Sequence, residues 1–272
     1  MDKKQQQNQE QLSDSDIDDN KNEESVDEYA SSEDDQDEEN QSFQRAEPKI
    51  PKTFNEKQSM PRLILVLEQA NIETTKSKRG IELINCDDHQ KLITKMKKNY
   101  EDYRPDVTHQ CLLALLDSPL NKAGLLQVYL KTNLNVLIEI NPQIRIPRTY
   151  KRFLALMAQL ITKMKIRSTQ SSVTLMKVIK NPVTQHFPLG VRKVGTSTKG
   201  ELVNINNYVA KIMDGPQRKK PIVFVIGAVS VGNPAMEADY IDDCICMSRY
   251  SLSAAACCSM VCDAFEQVWG VV

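Results

Sequence analysis

Two uninterrupted apolar runs constrain this chain more than any other feature. Arg62-Leu-Ile-Leu-Val-Leu-Glu68 sets five apolar residues in a row between charges, and Pro221-Ile-Val-Phe-Val-Ile-Gly227 repeats the pattern near the other end. Neither run alternates with period two, so neither suits a sheet with one wet face. Runs this short and this branched suit strands buried on both sides. The chain between them alternates helical and strand patterns. A helix towards Asn99, capped by Asp87 or Asp88, carries Leu92, Ile93 and Met96 on its inner face. A second helix covers Cys111 to Asp117, and Asp117 to Gly124 reads as a loop. Leu126–Leu130 and Val136–Ile140 read as a hairpin around Thr132-Asn133. A long amphipathic helix runs from Pro147 to about Lys165, followed by a segment at Leu175–Lys180 and a short helix at Val203–Met213. The last helix, with Ser251 as its cap, continues through Phe265 and Trp269. The expected fold is a single α/β domain with a mainly parallel sheet.

Charge is divided by position. Up to Glu47 there are 17 Asp or Glu against 4 Lys or Arg, and from Pro48 onward 19 against 31, so a net charge of -1 joins a strongly acidic tail to a basic body. Residues 1–47 hold almost no apolar side chains and cannot offset the entropy of ordering, so a disordered acidic tail is expected there. Such a polyanion, tethered to a basic body, competes with nucleic acid in a salt-dependent way. No apolar run approaches bilayer-spanning length and the start lacks a signal-peptide core, so a soluble, intracellular protein with no membrane partner is expected. The seven cysteines are odd in number and include no Cys-x-x-Cys, which suits small core residues rather than a metal site.

The segment Asn141-Pro-Gln-Ile-Arg-Ile-Pro-Arg-Thr-Tyr-Lys-Arg152 asks for more than stability. With Pro147 as the first helical residue, Arg148 and Arg152 share one helix face, and Arg145 lies just before it. A helix N-terminus carries partial positive charge, so arginines gathered there need an external anion. They read as a phosphate clamp, with a solvated basic face as the alternative. In Arg104-Pro-Asp106 the carboxylate can hold the guanidinium in one pose, although an isolated Arg-Pro-Asp is commonly a helix entry. Gly227-x-x-x-x-Gly232 lacks the Lys-Ser/Thr of a P-loop, having Asn233-Pro234 there, and no Gly-x-Gly-x-x-Gly is present.

Taken together, several strings resemble a known family: the eukaryotic small-subunit ribosome-biogenesis methyltransferases that modify N1 of a pseudouridine in 18S ribosomal RNA, members of the SPOUT, or trefoil-knot, superfamily. The strings are Arg104-Pro-Asp-Val-Thr-His-Gln110, Leu116-Asp-Ser-Pro-Leu-Asn-Lys-Ala-Gly-Leu-Leu-Gln-Val-Tyr129, Ile146-Pro-Arg-Thr-Tyr-Lys-Arg-Phe153, Lys177-Val-Ile-Lys-Asn-Pro182 and Leu252-Ser-Ala-Ala255, in matching order across roughly Pro61 to Val272.

The resemblance implies a methyltransferase domain over residues 61–272, an α/β knot at its C-terminal end, S-adenosyl-L-methionine as cofactor, and a homodimer. It further implies 18S rRNA of the small-subunit precursor as substrate, other pre-ribosome assembly factors as neighbours, and a nuclear, nucleolar address. Residue by residue, it assigns cofactor binding to Thr196, Gly227, Gly232, Asn233, Pro234, Met247, Ser248, Arg249, Tyr250, Ser251 and Leu252. RNA binding falls to Arg104, Arg145, Arg148 and Arg152, and no metal is implied. Asp106 is the one candidate base for the proton on pseudouridine N1, but its better-supported role is to orient Arg104. Where the family reads Ser-Asn-Tyr-Pro-Leu-Ser, this chain has Ser248-Arg-Tyr-Ser-Leu-Ser253, and Val229-Ser-Val-Gly232 lacks the basic residue usual before its second glycine. Both departures touch the cofactor loops. The alternative function is an RNA-binding pre-ribosome assembly factor whose contribution is structural, with methylation secondary or lost.

Overall fold

In the computed structural model, which describes residues 48–272 except Lys52 and Arg79, both apolar runs are central strands. The acidic segment 1–47 lies outside the described residues. Strand β1 (Arg62–Ala70) runs between β4 (Leu126–Thr132) and β9 (Pro221–Gly227), parallel to both. Leu63 to Leu67 are all fully buried, so both faces of β1 are covered. On one face Leu63, Leu65, Leu67, Phe224 and Ile226 pack under helices α3 (Pro105–Leu116), α5 (Tyr150–Lys163) and α8 (Ala254–Trp269). On the other, Ile64, Val66, Val223 and Val225 meet no long helix. They are covered by Val183, Phe187 and Val191 and by Ala235, Tyr240 and Ile241 from the connection that follows β9.

The main sheet has eight strands in the order β10-β8-β9-β1-β4-β5-β7-β6, which adds β5 (Leu137–Ile140), β6 (Lys165–Arg167), β7 (Thr174–Ile179), β8 (Lys193–Leu202) and β10 (Asp243–Cys246). It is parallel from β10 to β4 and antiparallel from β4 to β6, because short turns rather than crossovers join β4 to β5 and β6 to β7. A separate hairpin pairs β2 (Thr74–Ser77) with β3 (Gly80–Leu83). The shorter helices are α1 (Phe54–Ser59), α2 (Gln90–Lys95), α4 (Pro119–Lys122), α6 (Ile205–Ile212) and α7 (Pro234–Glu237).

After β9 the chain crosses the second face and returns as β10 beyond β8, leaving β8 between the two. The crossing is close. Pairing of β8 with β10 jumps from Gly195↔Cys244 to Glu201↔Ile245, and a Cβ at Gly200 would lie 2.5 Å from the Ile245 carbonyl carbon. Only glycine fits there. Neither β8 nor β10 was expected from the sequence, since β8 reads Lys-Val-Gly-Thr-Ser-Thr-Lys-Gly-Glu-Leu and has no apolar run to signal it.

Several element boundaries differ from expectation. Helix α3 begins at Pro105, not Cys111, with proline in its first turn where no donor is needed. Asp87 and Asp88 do not cap α2. The Asn85 side chain accepts from both their N–H groups and donates to Asp88, forming a closed turn before the helix. The 117–124 segment contains α4, capped by Ser118, which accepts from Asn121 N–H at 3.1 Å. Helix α8 is capped by Ser253, not Ser251. Helix α5 starts after Thr149, so Pro147 and Arg148 precede it and Arg148 does not share a helical face with Arg152.

Candidate functional site

Arg104 occupies the N-cap position of α3, and Asp106 lies in the helix's first turn. The pair is bidentate: Arg104 Nε donates to Asp106 Oδ1 at 2.8 Å and an Nη to Oδ2 at 2.6 Å. This hydrogen bonding holds the guanidinium pKa above its ordinary value despite partial burial. Both carboxylate oxygens are thereby engaged, and the geometry is that of an orienter. Cys86 and Tyr150 border the pair, and burial raises the pKa of both groups, so both stay protonated at neutral pH.

The arginine segment is fixed to α3 from two sides. At its start, the fully buried Asn121 amide donates to the carbonyls of Leu116 and Pro142, while Ile144 and Ile146 are buried. At its end, His109 Nε2 donates to the Pro147 carbonyl at 2.7 Å, and the ring stacks on Phe153 with centroids 4.5 Å apart. A carbonyl only accepts, so Nε2 carries the proton. Burial moves the imidazole pKa below the ordinary value, against raising effects from Pro147 and Asp106. His109 was not among the residues singled out from sequence, and its signal was only its place one turn after Asp106. Arg148 reaches back to Asp117 at 2.9 Å with most of its side chain exposed. Arg145 is exposed, and Arg152, in the first turn of α5, is partly buried. The three arginines therefore flank a pinned loop rather than line one helix face.

The assigned cofactor residues lie at or follow the C-terminal ends of β9 and β10, the end of a parallel sheet where ligands are received, and Thr196 lies within β8 just past its last residue paired with β9. Thr196 Oγ1 donates to the Val225 carbonyl at 3.1 Å, tying β8 to β9. Ser197 and Thr198 both donate to Asn233 Oδ1, at 2.7 and 3.2 Å. These two hydroxyls also escaped sequence analysis, because polar residues in an unrecognised strand carry no pattern. Gly227 does not face open space: a Cβ there would lie 2.7 Å from Pro234 Cδ and 2.8 Å from Cγ. Its lack of a side chain lets the Pro234 ring close onto the strand end. Gly232 is different, with φ +110 and nothing within 4 Å of an added Cβ, so it serves the turn. In the loop from Met247 to Leu252, Cys246 Sγ donates to the Ser248 carbonyl at 3.0 Å, and Tyr250 N–H to Ser248 Oγ. Arg249, Tyr250, Ser251 and Leu252 are exposed and Met247 half-buried.

Beneath these loops, Glu68 at the end of β1 is 2% exposed and receives Lys131 Nζ at 3.3 Å and the Tyr240 hydroxyl. A buried carboxylate needs such partners, and they anchor the β9–β10 connection to the sheet. The loop 229–232 then leans across to the arginine side. Ser230 Oγ donates to the carbonyl of Glu101, in the 3₁₀ turn Tyr100–Asp102 that leads into Arg104. The fold thus brings the assigned cofactor loops and the Arg104–Asp106 pair together. Among the described residues no group of three His, Cys, Asp or Glu side chains has the arrangement to hold a metal ion, and no helix is long and apolar enough to cross a membrane.

A profile of the family described as "EMG1/NEP1 methyltransferase" matches residues 65–266. "Ribosomal RNA small subunit methyltransferase NEP1" of Drosophila melanogaster is 51% identical over 215 residues, covering 78% of this chain and 84% of that protein. The Homo sapiens protein of the same name is 49% identical over 211 residues, covering 78% and 83%, and that of Candida glabrata 46% over 218, covering 79% and 92%. In three dimensions the chain resembles Archaeoglobus fulgidus Nep1, solved with S-adenosylhomocysteine, at a TM-score of 0.61 and 22% identity, covering 78% of this chain and 99% of that one. That likeness establishes the fold as the α/β trefoil-knot type, in keeping with the return of β10 beyond β8. On the extent of the profile match and the identity to these relatives, the chain belongs to the EMG1/NEP1 methyltransferase family.

Proposed function

We propose that this protein transfers a methyl group from S-adenosyl-L-methionine to N1 of a pseudouridine in 18S ribosomal RNA of the small-subunit precursor. The observation that carries the reading is that the family match spans both halves of the site, Arg104 to Arg152 and the loops from Thr196 to Leu252, in a fold that joins them. The residues present suit the cofactor. Gly227 lets Pro234 close, Gly232 supplies a turn no other residue makes easily, and Thr196, Ser197 and Asn233 fix the loop backbones whose polar groups would receive it.

The cofactor, when bound, supplies an electrophilic methyl group on sulfonium, so the protein's task is chiefly alignment. Arg145, Arg148 and Arg152 bind backbone phosphates of the RNA. Arg104, held by Asp106, contacts the target nucleotide after it leaves its stack. With both Asp106 oxygens on Arg104, the N1 proton departs to solvent or to an RNA group rather than to this carboxylate. The family's homodimer, a nucleolar address and neighbouring assembly factors belong to the same proposal.

Calorimetric titration with S-adenosylhomocysteine, followed by mass analysis of a pseudouridine-containing RNA incubated with protein and S-adenosylmethionine, tests the proposal. Heat of binding and a mass gain of one methyl group on that RNA are expected. Tight RNA binding with neither would replace it with a structural assembly role, which the changes at Arg249 and Ser251 make the specific competitor.

A further inference from the structure

We infer that Ser230 couples the cofactor loop to the RNA-contacting arginine, so that ligands at the two halves of the site strengthen each other's binding. This rests on the function proposed above. Among the described residues, the hydroxyl of Ser230 makes the one hydrogen bond that carries loop 229–232 outside its own connection and β8. The loop is otherwise held at its two ends, by Ala228 N–H on the Glu68 carbonyl and by Asn233 on Ser197 and Thr198. Its middle is exposed, with Val231 69% accessible, and is therefore the part a bound ligand would order.

The receiving side is stiff. Glu101 N–H donates to Asn99 Oδ1, Tyr103 N–H to the Tyr100 carbonyl, and Cys86 N–H to the Tyr103 carbonyl. Tyr103 is 1% exposed and its hydroxyl donates to Glu73 at 3.0 Å. Only Asp102 and Tyr103 separate Glu101 from Arg104, and the Arg104 guanidinium is itself clamped by Asp106. A loop that settles with Ser230 on Glu101 favours one pose of this turn and hence of Arg104. Two ligands that each favour the same pose bind cooperatively, and by linkage the factor is the same in both directions.

Fluorescence anisotropy of a pseudouridine-containing RNA hairpin, with and without saturating S-adenosylhomocysteine, reads this factor. For a single neutral hydrogen bond, about two- to tenfold tighter RNA binding in the presence of S-adenosylhomocysteine is expected. In Ser230→Ala the ratio should fall to about one, and in Ser230→Thr, which keeps the hydroxyl, it should persist. Ser230 is exposed, so neither substitution threatens folding. A wild-type ratio near one, or an equal ratio in Ser230→Ala, overturns the inference while leaving the methyltransferase reading intact. Failure of S-adenosylhomocysteine to bind the wild-type protein overturns both.

Discussion

Substituting Gly227 separates a packing role from a ligand-facing one. The position ends β9, and its added Cβ would sit 2.7 Å from Pro234 Cδ and 2.8 Å from Cγ. Ordinary carbon contacts need about 3.5–4.0 Å, so the ring must retreat by about 1 Å. Pro234 opens α7 and Ala235 beside it is fully buried, so the retreat cannot be taken up freely. Gly227→Ala should cost about 1–3 kcal/mol, the range for overpacking, which lowers the melting temperature by about 2–12 °C for a domain of this size. Displacement of Pro234 also moves Asn233 away from Ser197 and Thr198, so affinity for S-adenosylhomocysteine should weaken at least about tenfold. Gly227→Val should be more severe in both respects. Scanning calorimetry and isothermal titration measure the two effects, and the double variant Gly227→Ala/Pro234→Ala should recover more than half of the lost stability. Unchanged melting temperature and affinity in Gly227→Ala would refute the packing argument outright. Lost affinity without recovery in the double variant would return Gly227 to a ligand-facing role.

Arg148→Ala and Arg152→Ala should each weaken RNA binding by about 1–3 kcal/mol and reduce the salt slope by roughly one unit, with cofactor affinity unchanged; titrations at several salt concentrations decide whether they meet phosphates. Asp106→Asn removes one charged acceptor from Arg104 and should lower turnover more than RNA affinity, which single-turnover methyl transfer beside anisotropy would detect. Folding favours neutral His109, because burial depresses its pKa below 6.5. Its contribution is therefore present above the unfolded value and lost as pH falls through 6.5 towards the folded one. Urea melts between pH 5 and 7.5 should show a flatter profile for His109→Gln. Deleting residues 1–47 should leave methylation at least as fast, with tighter RNA binding most evident at low salt, if the acidic segment screens the basic body; slower transfer would assign it a direct role.

The strands that read most clearly from sequence are those whose burial is complete. Leu63–Leu67 and Ile222–Ile226 are uniformly apolar because helices or connections cover both sides, and the hairpin at Leu126–Ile140 was legible for the same reason. β8 was not legible, since only Lys193–Gly195 pair with β9 and the polar stretch Thr196–Gly200 falls in the register jump against β10, where no apolar run is needed. The arginine segment is recognisable by charge, yet the helix begins at Tyr150, three residues later than Pro147 suggests. A proline signals that a helix is permitted, whereas the His109 contact to Pro147, 38 residues away in sequence, decides where it begins. Glu68, Lys131 and Tyr240 illustrate the same limit: a lone acid at the end of an apolar run shows its partners only when distant strands meet.

Gly200 has a consequence for genetics. It is not among the residues assigned to cofactor or RNA, yet any side chain there collides with the main chain of Ile245, at 2.5–2.8 Å from three backbone atoms. Main chain cannot rotate aside as a side chain can, so β10 would have to leave β8 and carry the Met247–Leu252 loop with it. A missense allele at Gly200 should therefore behave as a null, indistinguishable in growth from loss of the reaction itself. Alleles scored only by phenotype would draw the boundary of the active site around a residue whose whole contribution is to be thin enough for two strands to pass.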